Sequence, residues 1–192
     1  MEILKSEQYI NEKLDIKPIT KEQLNGWKKE PYISNEHIRQ CIEENKLKWN
    51  PITKCYDCDG NVRVNNIILN EYGKFPIHFG YVKGDFNCAG INLESLDGSP
   101  KKVDGNFYCN GNDLKTLEGA PEIVGKNFWC CNNRLTSLKG SPRKIGGELD
   151  CNYNNLESLD GAPKEVRKLI CSQNTNLNLP KAKPKWVKEY MC

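Results

Sequence analysis

From residue 86 onward the apolar positions recur at a fixed interval. Cys88, Cys109, Cys130 and Cys151 lie 21 residues apart, and Cys171 follows after 20. Two residues before each cysteine stands Phe86, Phe107, Phe128, Leu149 or Leu169. Three after it come Ile91, Asn112, Asn133, Asn154 and Asn174, and five after it Leu93, Leu114, Leu135 and Leu156. A second leucine follows at 96, 117, 138 and 159. Each copy then turns through Gly98-Ser-Pro100, Gly119-Ala-Pro121, Gly140-Ser-Pro142 or Gly161-Ala-Pro163, and reaches Val103, Val124, Ile145 or Val166 three residues later. Such a period is the mark of an array of stacked units and takes precedence over local readings.

Each place has a physical reason. Side chains alternate across an extended segment, so Phe/Leu and Cys face a core while the residue between them points out. The Asn amide can cap backbone groups where the chain bends out of the strand, and identical Asn side chains can stack into a ladder. Gly-x-Pro ends the far side and returns the chain to the next rung. Val62-Arg-Val64 with Ile67 and Leu69 fits the frame as an earlier rung with a longer return through Pro76. At the other end Leu169, Cys171 and Asn174 keep it, but Leu177 comes one place late. Six rungs are expected, starting at 62, 86, 107, 128, 149 and 169, with atypical copies at the ends as caps.

Written out, the unit is L-x-L-x-x-N-x-L-x-x-L, similar to the leucine-rich repeat at the short end of its length range. The wording of Leu135-Thr-Ser-Leu-Lys-Gly-Ser-Pro142 and Gly146-Gly-Glu-Leu-Asp-Cys151 resembles short leucine-rich-repeat proteins of tailed bacteriophages and their hosts, over roughly residues 55 to 180. Tyr9-Ile-Asn-Glu-Lys-Leu-Asp-Ile-Lys-Pro-Ile-Thr20 resembles the N-termini of assorted tailed-phage proteins. The resemblance implies a phage-encoded binding protein. The expected fold class is α+β: a leucine-rich-repeat solenoid of about six rungs with a small helical N-terminal region. Residues 1–54 form that cap or docking region, 55–180 the solenoid and 181–192 a C-terminal tail. Within 1–54, Ser34-Asn35 caps a helix over Glu36 to Leu47 with Ile38, Cys41 and Ile42 on one side; weaker helices cover about 5–14 and 21–27.

Composition changes this picture little. A hydrophobic share of 38% with 28% charged residues suits a thin solenoid with one buried stripe better than a two-layer core. The formal charge of +3 gives no support to nucleic-acid binding, which wants a basic excess gathered on one face. The charged N-terminus lacks the apolar stretch of a secretory signal, and no run approaches the length of a membrane span. The expectation is a cytoplasmic protein, in the bacterial host if phage-encoded, with its ten cysteines reduced.

Candidate chemistry is sparse. The ladder cysteines read as small apolar core fillers, since a line of thiols does not converge on a metal as a tetrahedral site requires. Cys55-Tyr-Asp-Cys58 has the gap of half a zinc site, but no second pair follows, and Cys-Asp-Gly-Asn reads as a hairpin turn before the first rung. His37 and His78 both precede the regular repeats, and no nucleophile or phosphate-loop motif appears. No enzymatic activity, metal or cofactor is expected.

What remains is the exposed strand face, expected to be concave. Between the two core residues of each rung stand Arg63, Asn87, Tyr108, Trp129, Asp150 and Ile170. After the cysteine come Ala89, Asn110, Cys131, Asn152 and Ser172, then Gly90, Gly111, Asn132, Tyr153 and Gln173. Aromatics on a polar sheet are common hot spots. The candidate partner-binding residues are Tyr108, Trp129, Asp150, Asn110, Asn152, Tyr153 and Arg63. Mixed charge from Arg63, Asp85, Glu148, Asp150 and Lys168 favours a protein partner over nucleic acid. The expectation is a non-enzymatic interaction module binding a host protein such as a defence factor, alternatively a structural or assembly component of a phage particle; oligomeric state stays open.

Overall fold

The chain divides into two compact units, Met1–Tyr32 and Ile33–Cys192. The computed structural model describes residues 36–65, 73–174, 176–177, 185 and 187–191, all in the second unit. The helices expected near 5–14 and 21–27, the Ser34-Asn35 cap and the first-rung residues Ile67 to Leu69 lie outside the described residues.

The described residues form a β-solenoid of about six turns at a period near 21, preceded by one short helix. Helix α1 spans Glu36–Glu44 and buries Cys41, with Ile38 and Ile42 partly buried against the core. A short antiparallel hairpin follows: β1 (Lys48–Asn50) pairs with β2 (Cys55–Cys58).

The expected rung starts fall in register. Strands β3 (Val62–Arg63), β5 (Phe86–Asn87), β7 (Phe107–Tyr108), β9 (Phe128–Trp129), β11 (Glu148–Asp150) and β12 (Val166–Ile170) align Val62, Phe86, Phe107, Phe128, Leu149 and Leu169 side by side, all parallel. The segment expected as a tail adds a seventh strand, β13 (Val187–Met191), parallel to β12.

The return limb is a second parallel sheet. Strands β4 (Phe79–Val82), β6 (Lys102–Val103), β8 (Ile123–Val124) and β10 (Lys144–Ile145) follow β1 and β2 in a six-stranded sheet. This sheet was not anticipated, although β-branched residues at 103, 124, 145 and 166, one period apart, carried the signal. Six residues separate Pro100 from Phe107, too few for a helix to develop and still return the chain, whereas an extended segment rises about 3.3 Å per residue. The Cys-Asp-Gly-Asn segment differs from expectation as well. Cys55–Cys58 is strand, and 59–61 form the corner carrying the chain from the six-stranded sheet into the seven-stranded one.

The core fills the space between the sheets. Phe86, Phe107 and Phe128 stack with ring centroids 5.3 Å apart and planes 9° apart, and Leu149 and Leu169 continue the row. Cys88, Cys109, Cys130 and Cys151 line up beside them, buried and free, and burial pushes each thiol well above its ordinary pKa. Cys171 differs from the expected reduced state: it is disulfide-bonded, with its partner outside the described residues.

The asparagine ladder forms and clips each rung to the one before. Asn133 Oδ1 accepts the Leu114 N–H at 3.1 Å while its Nδ2 donates to the carbonyls of Cys109 and Cys130 at 3.0 and 3.1 Å. Asn112, Asn154 and Asn174 repeat the arrangement. A second ladder, one residue before each rung start, was missed. Asn61 Oδ1 accepts from Asp85 N–H, Asp85 Oδ1 from Asn106 N–H, Asn106 Oδ1 from Asn127 N–H and Asn127 Oδ1 from Glu148 N–H, at 2.8 to 3.1 Å. The Gly-x-Pro turn needs its glycine twice over: Gly119 has φ +88°, and a Cβ there would lie 2.7 Å from the Leu96 carbonyl.

Candidate functional site

The outward residues of the seven-stranded sheet form one column in register: Arg63, Asn87, Tyr108, Trp129, Asp150, Ile170 and Met191. Strand alternation sets this, because Phe/Leu and Cys on either side point into the core. Tyr108 and Trp129 stand on neighbouring strands, and their rings stack with centroids 4.5 Å apart at 25°. Both are half-buried.

Of the seven candidate residues, Tyr108 and Trp129 form this stack and four others gather around it. Asp150 is the strand partner of Trp129. Asn110 and Asn152 follow two residues along their own strands, both half-buried, and Asn152 donates its backbone N–H to Asp150 Oδ1 at 3.0 Å. Its buried side-chain oxygen has no hydrogen-bond partner. Arg63 stands apart at the first rung, roughly 19 Å from Asp150 at about 4.8 Å per strand. There Asn45, just after α1, clasps it: Oδ1 accepts the Arg63 N–H at 2.6 Å and Nδ2 donates to its carbonyl at 3.2 Å.

Tyr153 completes the group and carries a signal invisible in the spacing. The column Gly90, Gly111, Asn132, Tyr153 and Gln173 is left-handed throughout, with φ between 51° and 67°. Glycine and asparagine tolerate that conformation, whereas a bulky aromatic is an outlier. Tyr153 holds φ 51° with 61% of its surface exposed. Tyr153 thus carries an exposed aromatic ring on a strained backbone.

The charges counted on this face sort differently once paired. Asp85 is a rung of the corner ladder. Glu148 pairs with Arg167 at 3.2 Å and Lys168 at 3.6 Å, and Arg167 also reaches Glu189 at 3.8 Å. Among the described residues no ion pair involves Asp150. The Cys131 thiol beside it is pushed up, first by burial and then by the Asp150 charge and a hydrogen bond to it.

Cys55 and Cys58 fall on opposite sides of β2, since Tyr56 and Cys58 point inward while Cys55 is half-exposed. Among the described residues no group of three or more His, Cys, Asp or Glu is arranged to hold a metal, and no helix is long and apolar enough to cross a membrane. Comparison of the chain with protein-family models, with curated proteins and with solved structures finds no match.

Proposed function

We propose that the protein is a non-enzymatic interaction module that binds another protein through the outward face of its seven-stranded sheet. The observation that carries this reading is the Tyr108–Trp129 stack in mid-array, with Tyr153 displayed from a strained backbone beside it. Stacked aromatics ringed by asparagine present the apolar anchor and adaptable polar rim common at hot spots. We read the repeat as the short leucine-rich type resembling tailed-phage proteins. On that reading the protein works without catalysis, cofactor or nucleic acid in the host cytoplasm, and occupies a host protein such as a defence factor.

A second reading, a structural component of a phage particle, is favoured by one observation. Cys171 is disulfide-bonded, and such bonds persist outside the reducing cytoplasm. Two measurements on the full chain separate the readings. Capture from bacterial lysate should yield a defined host protein, lost when Tyr108 and Trp129 are both changed to Ala, with the free chain at one fixed size in light scattering. The particle reading predicts concentration-dependent self-association and no host protein.

A further inference from the structure

Resting on the reading of this face as a binding surface, we propose that Asp150, with Trp129 and Ile170, forms a socket for an arginine side chain of the partner protein. Several charges of this sheet are matched from within the chain. Glu148 has Arg167 at 3.2 Å and Lys168 at 3.6 Å, and Glu189 has Arg167 at 3.8 Å. Asp150 is half-buried, and its donors among the described residues are neutral, the Asn152 N–H and the Cys131 thiol.

Its neighbours sharpen the mismatch. Trp129 stands on the strand to one side and Ile170 on the strand to the other, so the carboxylate sits between two apolar side chains. A charge in such surroundings is poorly solvated, and its attraction for an incoming cation is stronger than at an open surface. Because Tyr108 covers one face of the indole, the other face is turned along the ladder toward the Asp150 rung. An aromatic face beside an uncompensated carboxylate matches a planar guanidinium, which stacks on the ring and forks its N–H groups to the oxygens. A lysine ammonium fits less well, being strongly hydrated and unable to stack as a plane. A nucleic-acid phosphate would be repelled.

The test uses the full chain and the capped amino acid N-acetyl-arginine methylamide, followed by the Trp129 indole N–H resonance, assigned with Trp129→Phe. The capped citrulline compound is its neutral counterpart of nearly the same shape, and the capped lysine compound its unforked one. The expected result is a saturable shift with arginine, affinity at least about tenfold lower with lysine or in Asp150→Asn, and no saturation with citrulline. Asp150→Asn keeps the side-chain oxygen that accepts from Asn152, so the strand turn is preserved. Equal binding of citrulline or lysine, an unaffected Asp150→Asn variant, or no saturable shift with arginine would each overturn the socket. The binding-face reading stands or falls separately, on whether the Tyr108/Trp129 double variant loses partner capture.

Discussion

The outward columns of the two sheets are built by one repeat and treat their functional groups in opposite ways. On the six-stranded sheet, Tyr81 donates its hydroxyl to Asp104, Lys102 pairs with the same carboxylate, and the Lys102 ammonium lies 5.0 Å from the centre of the Tyr81 ring. The hydroxyl bond raises the Tyr81 pKa and lowers that of Asp104, the mutual stabilisation of a satisfied pair. On the seven-stranded sheet, Tyr108 and Trp129 stack on each other with the Tyr108 hydroxyl hydrogen-bonded to Asn106, Asp150 has no ion pair among the described residues, and the Tyr153 side chain is exposed. A face that consumes its own polar groups serves the fold; one that leaves them over is available to a partner.

Both columns hang on one core, so the largest effects should reach them together. Below about pH 8.5 folded and unfolded chains both hold their thiol protons, and the thiols add no pH dependence to stability. Above it the unfolded chain releases them while Cys88, Cys109, Cys130 and Cys151 retain theirs, so stability falls as pH rises, by about 1.4 kcal/mol per unit for each buried thiol. Denaturant titrations from pH 8 to 11 should show this steep loss, one thiol shallower in Cys130→Ala. Next in size, Leu135→Ala empties a fully buried site in a central rung and should cost about 2–5 kcal/mol, with fluorescence and circular dichroism melting together. Asn133→Ala should cost less, about 1–3 kcal/mol, by stranding the Leu114 N–H and two carbonyls. Separate melting of the two sheets would break the premise that one core serves both.

Smaller changes separate the columns. Tyr153→Asn swaps an aromatic for a residue at ease in the left-handed region, and should stabilise the fold by about 1 kcal/mol, visible as a higher melting temperature, while weakening partner binding. Stabilisation without loss of binding would remove Tyr153 from the site.

The repeat itself made much of this legible. The rung starts, the inward Phe/Leu and Cys, the Asn ladder and the outward order from Arg63 to Ile170 follow from period and strand alternation, which are local and rigid constraints. The second sheet was less visible, because one β-branched residue per return does not distinguish a two-residue strand from a loop. The corner ladder was hidden because Asn61, Asp85, Asn106 and Asn127 look like solvated polar residues until the chain folds back one period. Glu148 and Lys168 counted as exposed charge for the same reason: pairing across rungs is set by side-chain reach. The left-handed column could have been suspected from Gly90, Gly111 and Asn132, which would have marked Tyr153 earlier.

On the proposed function, binding belongs to the seven-stranded sheet. Capture by the wild-type chain, by the Tyr108/Trp129 double alanine variant and by a Tyr81/Lys102 double alanine variant, each with its melting curve, decides between the two sheets. The first variant should bind at least about 30-fold more weakly, a loss of about 2 kcal/mol, while staying folded. The second should bind normally and melt slightly earlier, because its groups are engaged with each other. Normal binding by the first with loss in the second would move the site to the six-stranded sheet and contradict the claim.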